Sequence, residues 1–380
     1  MKTEQTIYTE SKGWSKKSDD KLGQLAQLVL VFGKRELLVL QQHFDYIQKL
    51  YPNAEVVGCS TSGDICGEEI YNNSIVCTAV QFDKTTLRIV SEEVTKMDDS
   101  FRIGQQLIAN LPKDNLAHIL VLSEGLNING SELTKGLNSQ DGENISVTGG
   151  LAGDLSEFKQ TLIINNAAGK SNLVVAIGFY GSHLQVGYGS MGGWDSFGVD
   201  RLVTRSSSNI LYELDGQPAL ALYKKYLGSH AENLPSSALL FPLSYFPEGS
   251  EVPVVRTILS VDETNGSMTF AGDIPEGSYV RLMKASFEKL VDGAYNAATK
   301  AKNRLGNSDP ELAILISCVG RRLVMKQRVE QELENVREVL GNETTITGFY
   351  SYGEISPMIN TSKQCELHNQ TMTVTVFKEK

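Results

Sequence analysis

Apolar stretches the length of buried strands alternate with amphipathic stretches along most of the chain. LAQLVLVFG (25–33), AHILVLSEG (117–125) and ELAILISCVG (311–320) are almost continuously apolar, which is typical of strands buried on both faces. In contrast, apolar residues recur every three or four positions in 37–51 and in 325–340, which places one apolar stripe along a helix. The alternation predicts an α/β protein with mixed (α+β) sheets.

Two pairs of segments resemble each other across the chain. VVGCSTSGDIC (56–66) aligns with ITGFYSYGEIS (346–356), and both contain a strand, a glycine, a variable stretch, a second glycine, an acid and an isoleucine. HILVLSEG (118–125) resembles AILISCVGR (313–321), since each is a buried strand that ends in a loop of small residues. The similarity predicts two related lobes that arose by internal duplication.

Antiparallel pairing is expected in two places. SIVCTAVQF (74–82) and TLRIVSEEV (86–94) alternate apolar and polar residues around Asp83 and Lys84, which predicts a hairpin. Residues 159–190 contain three successive strand patterns separated by turn residues, so we expect an antiparallel run between the two lobes.

The glycine-rich segment GGWDSFGVD (192–200) is the best candidate for a domain boundary, because helix signals resume only later, at 217–228. At roughly 150 residues per domain, a chain of 380 residues can form two or three domains. The predicted division is a polar N-terminal segment 1–24, an N-terminal domain 25–191 and a C-terminal domain 192–380.

Charge and composition exclude several classes of protein. The chain has 35 basic and 45 acidic side chains and a net charge of −10, whereas nucleic-acid binding needs clustered cations, so no nucleic-acid partner is expected. No apolar run approaches the ~18 residues that a membrane span requires, and the N-terminus lacks a hydrophobic signal core. We therefore expect a cytoplasmic protein without a membrane partner. The five cysteines contain no CxxC pair, which indicates neither a disulfide framework nor a zinc site.

The loop between Gly58 and Asp64 is the first candidate for ligand binding. It contains Cys59, Ser60, Thr61 and Ser62, whose small side chains leave backbone amides free to bind a carboxylate or phosphate. Loops at the carboxyl ends of strands form the ligand crevice of open α/β sheets. The alternative is a tight turn that needs glycine only for its backbone angles.

The second copy of this loop and a pair of arginines complete the predicted binding residues. Tyr350 and Tyr352 line a pocket or pack as ordinary aromatic residues, and Glu354 is the counterpart of the acid in the first copy. Arg321 and Arg322 follow a buried strand, where an arginine either grips an anion through two hydrogen bonds or remains a solvated surface charge. Of the two, Arg321 is the stronger candidate.

Motifs for catalysis are weak. The GxGxxG at 187–192 follows a hairpin-like strand rather than a strand that opens into a helix, so it does not indicate a dinucleotide site. Cys59 and Cys318 are the candidate nucleophiles of a cysteine-dependent enzyme, but no histidine that could act as base lies near Cys59 in sequence. A lone histidine is usually structural, but if the protein holds a metal or haem iron, we expect one of the five histidines to be its ligand.

Six motifs in order along the chain carry a resemblance to a known family. They are VGCSTSGDI (57–65), TGGLAGD (148–154), NILYELDGQPALALYKKYLG (209–228), SCVGRR (317–322), GFYSYGEISP (348–357) and LHNQT (367–371). With them the chain resembles the FIST family, named for F-box and intracellular signal transduction proteins. The resemblance implies a FIST N-terminal sensory domain at 25–191 and a FIST C-terminal domain at 192–380. It also implies a small-molecule ligand and a signalling partner such as a histidine kinase or a diguanylate cyclase.

In length and domain composition the chain is similar to bacterial stand-alone FIST proteins, which include nitric-oxide-sensing haemoproteins of the NosP type that control a histidine kinase. This similarity implies haem b held by His368, with His43 and His183 as the next candidates, and without covalent attachment because no CxxCH is present. Other family members are thought to bind amino acids or other small organic anions. The expected function is therefore a non-enzymatic sensor, either of nitric oxide through haem or of an organic anion without haem. A cysteine-dependent enzyme is the remaining alternative.

Overall fold

Three six-stranded sheets, an eight-stranded sheet and eight helices make up the part of the chain that the computed structural model describes. The described residues are 1–16, 21–139, 145–247, 253–357 and 363–380. The α/β architecture with mixed sheets predicted from the apolar pattern is confirmed.

The first unit comprises residues 2–81 and is built around two parallel strands. Its elements are β1 (Lys2–Thr9), β2 (Gly13–Lys16), β3 (Leu28–Gly33), α1 (Arg35–Leu38), α2 (Gln41–Leu50), β4 (Glu55–Ser60), β5 (Asp64–Cys66), β6 (Glu69–Tyr71) and β7 (Ser74–Gln81). Strands β3 and β4 are parallel and connected by α1 and α2, while β7 lies antiparallel to both β1 and β3. The short strands β5 and β6 join a different sheet.

The second unit, residues 86–180, repeats this arrangement. Its elements are β8 (Thr86–Glu93), α3 (Ser100–Asn110), β9 (Leu116–Ser123), α4 (Gly130–Leu137), β10 (Ser146–Leu151), β11 (Ile163–Asn165) and β12 (Leu173–Tyr180). Strands β9 and β10 are parallel, and β12 lies antiparallel to β8 and β9. Strand β11 joins the sheet of the first unit beside β4.

An inserted module, residues 194–285, follows the strand β13 (Leu184–Met191). The module contains β14 (Trp194–Ser207), β15 (Ile210–Leu214), β16 (Gln217–Pro218), α5 (Ala219–Leu227), β17 (Leu243–Tyr245), β18 (Val254–Arg256), β19 (Ile258–Asp262), β20 (Ser267–Phe270) and β21 (Tyr279–Ala285). Its strands form the eight-stranded sheet and have their own apolar core with α5. Since β14 and β21 pair where they enter and leave the module, a two-stranded ribbon connects it to the rest of the chain.

The third unit begins with β13 and resumes after the module. Its remaining elements are α6 (Phe287–Asn303), β22 (Leu312–Cys318), α7 (Val319–Met325), α8 (Glu330–Leu340), β23 (Thr345–Ser351), β24 (Gly353–Pro357), β25 (Cys365–His368) and β26 (Met372–Glu379). Strands β22 and β23 are parallel, and β26 lies antiparallel to β13 and β22. None of the helices in the described ranges is long and apolar enough to cross a membrane.

The three units exchange edge strands in a cycle. Strand β11 of the second unit extends the sheet of the first, β24 of the third unit extends that of the second, and β5 of the first unit extends that of the third. Of the segments paired by sequence similarity, the two loops (56–66 and 346–356) lie in the first and third units, and the two buried strands (118–125 and 313–321) lie in the second and third units. The repeat therefore comprises three units rather than two lobes, and the equivalent loop of the second unit (149–154) is one residue shorter than 58–64 or 348–354.

One apolar core joins the three sheets. It includes Phe32 of the first sheet, Phe179 of the second, and Phe349 and Phe377 of the third. The Phe32 and Phe349 rings lie 4.8 Å apart, and those of Phe179 and Phe377 lie 5.3 Å apart. Helices cover the outer faces and form separate apolar clusters with them. The loops at the strand ends are thereby held close together.

Two pairing predictions are wrong. The strands at 74–82 and 86–94 exist as β7 and β8, but they belong to different sheets and form no hairpin. The strand patterns of 159–190 are β11, β12 and β13, which enter three different sheets rather than one antiparallel run. Alternation indicates a half-buried strand but does not identify its partner, and here each strand pairs with its own unit or with the neighbouring one.

Two glycine-rich segments prove to be regular strands. The proposed boundary at 192–200 lies largely in β14. The polar segment 1–24 is also partly regular, since it contributes β1 and β2 to the first sheet. The GxGxxG motif lies on β13, where a Cβ at Gly187 or Gly189 would approach the Ala301 or Ala297 carbonyl oxygen to 2.0 or 2.2 Å. Its glycines therefore allow β13 to pack closely against α6.

Candidate functional site

The three loops that follow β4, β10 and β23 meet in a closed ring. Backbone hydrogen bonds link each loop to the next, from Ser62 N–H to the Tyr350 carbonyl (2.8 Å), from Tyr352 N–H to the Leu151 carbonyl (3.1 Å) and from Gly153 N–H to the Ser60 carbonyl (2.9 Å). Tyr350 N–H also donates back to the Gly63 carbonyl (2.8 Å). Each loop donates to the next in the same order in which the units exchange strands. The structure thus brings together the two loops proposed for ligand binding, and it adds the loop of the second unit.

A glycine at the same place in each unit permits this close approach. A Cβ on Gly58, Gly149 or Gly348 would lie 1.8, 2.0 or 1.8 Å from a carbonyl oxygen of the adjacent parallel strand. These distances are far below van der Waals contact, so any side chain would separate the two strands. The glycines that mark the family motifs are thus required by the packing of the strands beneath the loops.

A buried acid ends each of the three loops: Asp64, Asp154 and Glu354. Asp64 accepts hydrogen bonds from the hydroxyls of Thr61 and Ser74, and burial raises its pKa to about 6. The Thr61 hydroxyl, which was predicted to contact a ligand, therefore donates its hydrogen bond to an acid of its own loop.

Glu354 and Asp154 differ in their partners. Glu354 accepts hydrogen bonds from the Ser351 hydroxyl (2.6 Å) and the Thr371 hydroxyl (2.9 Å), and burial raises its pKa to about 8. Asp154 instead pairs with the Arg35 guanidinium at 2.7 Å. Glu354 is thus a buried carboxyl without an ion pair in the described part of the chain, and burial favours its protonated form.

Arg321 lies inside the third unit. Its side chain is fully buried, and Nη2 donates to Glu332 at 2.8 Å and to the Leu290 carbonyl at 2.7 Å. The Tyr350 hydroxyl donates to the same carboxylate at 2.7 Å. The predicted ligand roles of Arg321 and Tyr350 remain predictions, but these contacts favour a structural role for both.

Arg322, rather than Arg321, reaches the loop ring. Its guanidinium donates to the Ser62 carbonyl and to the Asn72 side chain, and it lies 5.4 Å from the centre of the Tyr350 ring. The difference follows from the helix: consecutive residues of α7 point about 100° apart, so one arginine faces the core and the other faces the loops.

Two adjoining cavities open beside the ring, and we call them together the loop groove. One has a volume of about 600 Å³ and is lined by residues that include Ser62, Asn72, Leu155, Arg322 and Glu330. The other has about 480 Å³ and a mainly apolar lining that includes Phe158, Leu239, Leu240, Ile258 and Leu259. Ser156, Leu323 and Lys326 line both cavities, so the two are continuous. The groove therefore runs from the ring to the inserted module.

Tyr352 supports the wall of the groove. Its hydroxyl donates to Asp154, and its ring stacks on that of Phe158 with centroids 4.6 Å apart. Since Phe158 is 39% exposed while Tyr352 is buried, it is Phe158 that faces the groove. Of the predicted binding residues, only Ser62 and the weaker arginine candidate, Arg322, line the groove directly.

The environment of the cysteines does not favour nucleophilic chemistry. Cys59 is fully buried, and burial together with the nearby Asp64 carboxylate raises its pKa. Burial likewise raises the pKa of Cys318. A nucleophilic thiol needs the opposite shift. The neighbouring Ser60 hydroxyl accepts a hydrogen bond from Leu162 N–H at 2.9 Å.

The histidine environments do not fit a haem site in the groove. A haem needs an apolar slot with an axial ligand on its wall, and the loop groove has no histidine among its described lining residues. His368 donates from Nε2 to the Ser356 carbonyl (3.0 Å), and burial lowers its pKa to about 4. His43 packs 4.3 Å from the Tyr8 ring, and His183 is exposed.

Sequence reasoning missed most of the groove. Phe158, Leu323 and Lys326 belong to no sequence motif. Phe158 comes from the second unit, whereas Leu323 lies on α7 and Lys326 follows it directly, and the contact between these segments is not visible in the sequence. The sequence signals for the groove were Ser62 and Arg322, and of the two arginines Arg321 had been the stronger candidate.

Comparison with known proteins gives a family and a distant relative. The sequence profile of the FIST N domain matches residues 27–217, and that of the FIST C domain matches residues 219–357. An uncharacterized protein of Methanocaldococcus jannaschii is 23% identical over 381 aligned positions, which cover 88% of this chain and 70% of that protein. A solved cyanuric acid hydrolase from A. caulinodans aligns with 95% of this chain and 91% of its own, at 8% identity and a TM-score of 0.33. That score is too low to indicate a shared fold or activity.

Proposed function

Because this chain belongs to the FIST family, whose domains are sensory signalling domains, we propose that its loop groove binds a small organic acid with an apolar body. In this proposal the protein is a non-enzymatic sensor without haem, and a signalling protein such as a histidine kinase or a cyclase reads its ligand state.

The lining of the groove is the observation that carries the proposal. Arg322 and Lys326 lie on its polar side against a single acid, Glu330, so its net charge is positive. The Lys326 ammonium forms no ion pair with any residue in the described ranges. The other side is apolar and includes the exposed faces of Phe158 and Leu259. A carboxylate beside the cations and an apolar body against the opposite wall would match both sides.

The groove lies between the inserted module and the three units, which suits a sensor. The module is attached by the ribbon that begins at the Trp194–Ala285 pair, and the Asp273 carboxylate holds it to Lys135 of α4 at 3.1 Å. A ligand that contacts both sides would favour one arrangement of the module over others, and this differential affinity is what a sensor needs. The surface of the module is then the natural contact for the partner.

Isothermal titration of the whole protein with 4-phenylbutyrate and its uncharged amide tests the proposal. We expect the carboxylate to bind about five- to tenfold more tightly than the amide, since a partly buried charge pair contributes about 1 kcal/mol. The variant Lys326→Met should reduce affinity for the carboxylate by a similar factor and leave affinity for the amide unchanged.

Lys49→Met on the exposed face of α2 is the matched control and should bind both compounds like the unchanged protein. Equal affinity for acid and amide, or an equal loss of carboxylate affinity in both lysine variants, would show that the groove does not select anions through Lys326.

A further inference from the structure

Strand β8 forms a long, open edge of the second sheet. Of the strands that end the three six-stranded sheets in the described part of the chain, β2, β6, β11 and β25 have only three or four residues. The other two, β8 and β13, have eight, but five residues of β13 are buried and none of β8 is. A long, exposed edge strand is a template for pairing with another strand.

The equivalent edge is closed in the first unit. Strand β1 corresponds to β8, since β7 lies antiparallel to β1 and β3 just as β12 lies antiparallel to β8 and β9. The outer edge of β1 is covered by β2, from the Thr6–Lys16 pair to the Thr9–Gly13 pair. Within the described ranges no strand covers β8 in this way, and β8 contains neither a proline nor a bulge that would discourage pairing.

Alternate backbone groups of β8 point away from its neighbour β12. Val94 N–H donates to the Asn172 carbonyl at 2.8 Å, one step beyond the last residue of β8. Hydrogen-bonded positions alternate along an antiparallel ladder, so every second residue before Val94 also bonds to β12. The residues whose N–H and carbonyl groups point outwards are therefore Leu87, Ile89, Ser91 and Glu93. No backbone hydrogen bond to another described residue occupies these outward groups.

The charges on β8 favour one register for pairing with a second copy of the same strand. Symmetric antiparallel pairing must place outward groups opposite outward groups, so its centre falls on a residue. With the centre at Val90, Arg88 lies opposite Glu92 of the second copy, twice in each dimer. A centre at Arg88 or Glu92 would place like charges opposite each other, and a centre at Ile89 or Ser91 would place a charge opposite Val90.

Arg88 and Glu92 are available for such pairing. The Arg88 side chain is exposed and forms no ion pair with any residue in the described ranges. Glu92 accepts a hydrogen bond from the Asn110 amide at 3.1 Å and likewise has no cation beside it in that part of the chain. Both lie on the same face as Val90, and in this register they occupy the non-hydrogen-bonded positions, where cross-strand side chains come closest.

We propose that β8 pairs antiparallel with β8 of a second copy of this chain, centred at Val90, and so forms a symmetric homodimer. The pairing joins two six-stranded sheets into one continuous sheet. The outward backbone groups of both copies exchange hydrogen bonds, and two Arg88–Glu92 ion pairs fix the register. No residue of β8 is among the described lining residues of the loop groove, so this inference does not depend on the function proposed for the groove.

Sedimentation equilibrium of the whole protein at micromolar concentrations tests the inference, and we expect twice the mass of one chain. Arg88→Glu and Glu92→Arg should each weaken the dimer at least about tenfold, because each change places like charges opposite one another at two positions. The double variant Arg88→Glu/Glu92→Arg restores opposite charges in the same register, so it should dimerise like the unchanged protein.

A proline variant tests the backbone pairing itself. Ser91→Pro removes an outward N–H and leaves the bonds to β12 in place, so it should weaken the dimer at least as much as the single charge reversals. Lys49→Glu on the exposed face of α2 is the control for charge reversal and should remain dimeric.

A protein that is monomeric at every concentration, or a dimer that Arg88→Glu leaves intact, would overturn the inference. A double variant that dimerises no better than the single variants would also contradict the Val90 register. Should Ser91→Pro fail to fold, as judged by circular dichroism, the charge-reversal series decides. Lys326→Met, which tests the loop groove, should leave the dimer intact, so the two proposals fail separately.

Discussion

Replacing Arg321 by methionine is expected to lower the free energy of unfolding by about 3–5 kcal/mol, because the change leaves a buried carboxylate without its cation. Arg321 and Glu332 are both fully buried and paired at 2.8 Å, and the Leu290 carbonyl would also lose its donor. Urea unfolding followed by circular dichroism measures the effect.

Two further variants separate structure from ligand binding. In Arg321→Met/Glu332→Gln the uncompensated charge is gone, so part of the lost stability should return. Arg322→Met, one residue further along α7, should change binding in the loop groove more than stability, since that side chain contacts Ser62 and Asn72 at the cleft. An Arg321→Met protein that is as stable as the unchanged one but binds no organic anion would restore Arg321 to the role first expected for it.

Replacing Glu354 by glutamine is expected to remove a large pH dependence of stability. An exposed glutamate loses its proton near pH 4.5, whereas burial raises the pKa of Glu354 in the folded protein to about 8. Between these values the folded state holds one more proton than the unfolded state, so its stability falls as pH rises. The slope from this group is about 1.4 kcal/mol per pH unit.

Urea unfolding at pH 5, 6, 7 and 8 of both proteins measures this difference. The two should be similarly stable at pH 5, and the glutamine variant should become progressively more stable than the unchanged protein towards pH 8. Glutamine preserves the geometry, because its amide can accept from Thr371 and donate to the Ser351 hydroxyl. The surface variant Glu93→Gln should follow the pH profile of the unchanged protein. Parallel profiles for the Glu354→Gln and unchanged proteins would mean that Glu354 is ionised in the folded state.

Much of the fold could be predicted because apolar periodicity reflects local burial. The buried strands β3, β9 and β22, the amphipathic helices and the two similar loop segments all follow from the pattern. The strand of the second unit was matched with that of the third, but its loop was not aligned with the other two, because it is one residue shorter and ends in Asp154 without the preceding hydroxyl groups of the other two.

The site could be predicted only in part. The structure brings together the glycine loops that were proposed for ligand binding, and Ser62 lines the groove. The sequence could not show that Arg322, rather than Arg321, reaches the groove, since both arginines follow the same strand. Only the packing of α7 against α8 buries Arg321 and leaves Arg322 at the loops. Phe158, Leu323 and Lys326 become neighbours only because the second and third units exchange strands.

The sequence by itself determined which segments are strands and helices, where glycine is required, and to which family the chain belongs. It did so because periodicity and close backbone packing depend on neighbours along the chain or on one adjacent strand. Only the tertiary structure decided which strands pair, how many units there are, and which charges remain without partners. Those properties depend on contacts between segments more than a hundred residues apart, which no local pattern records.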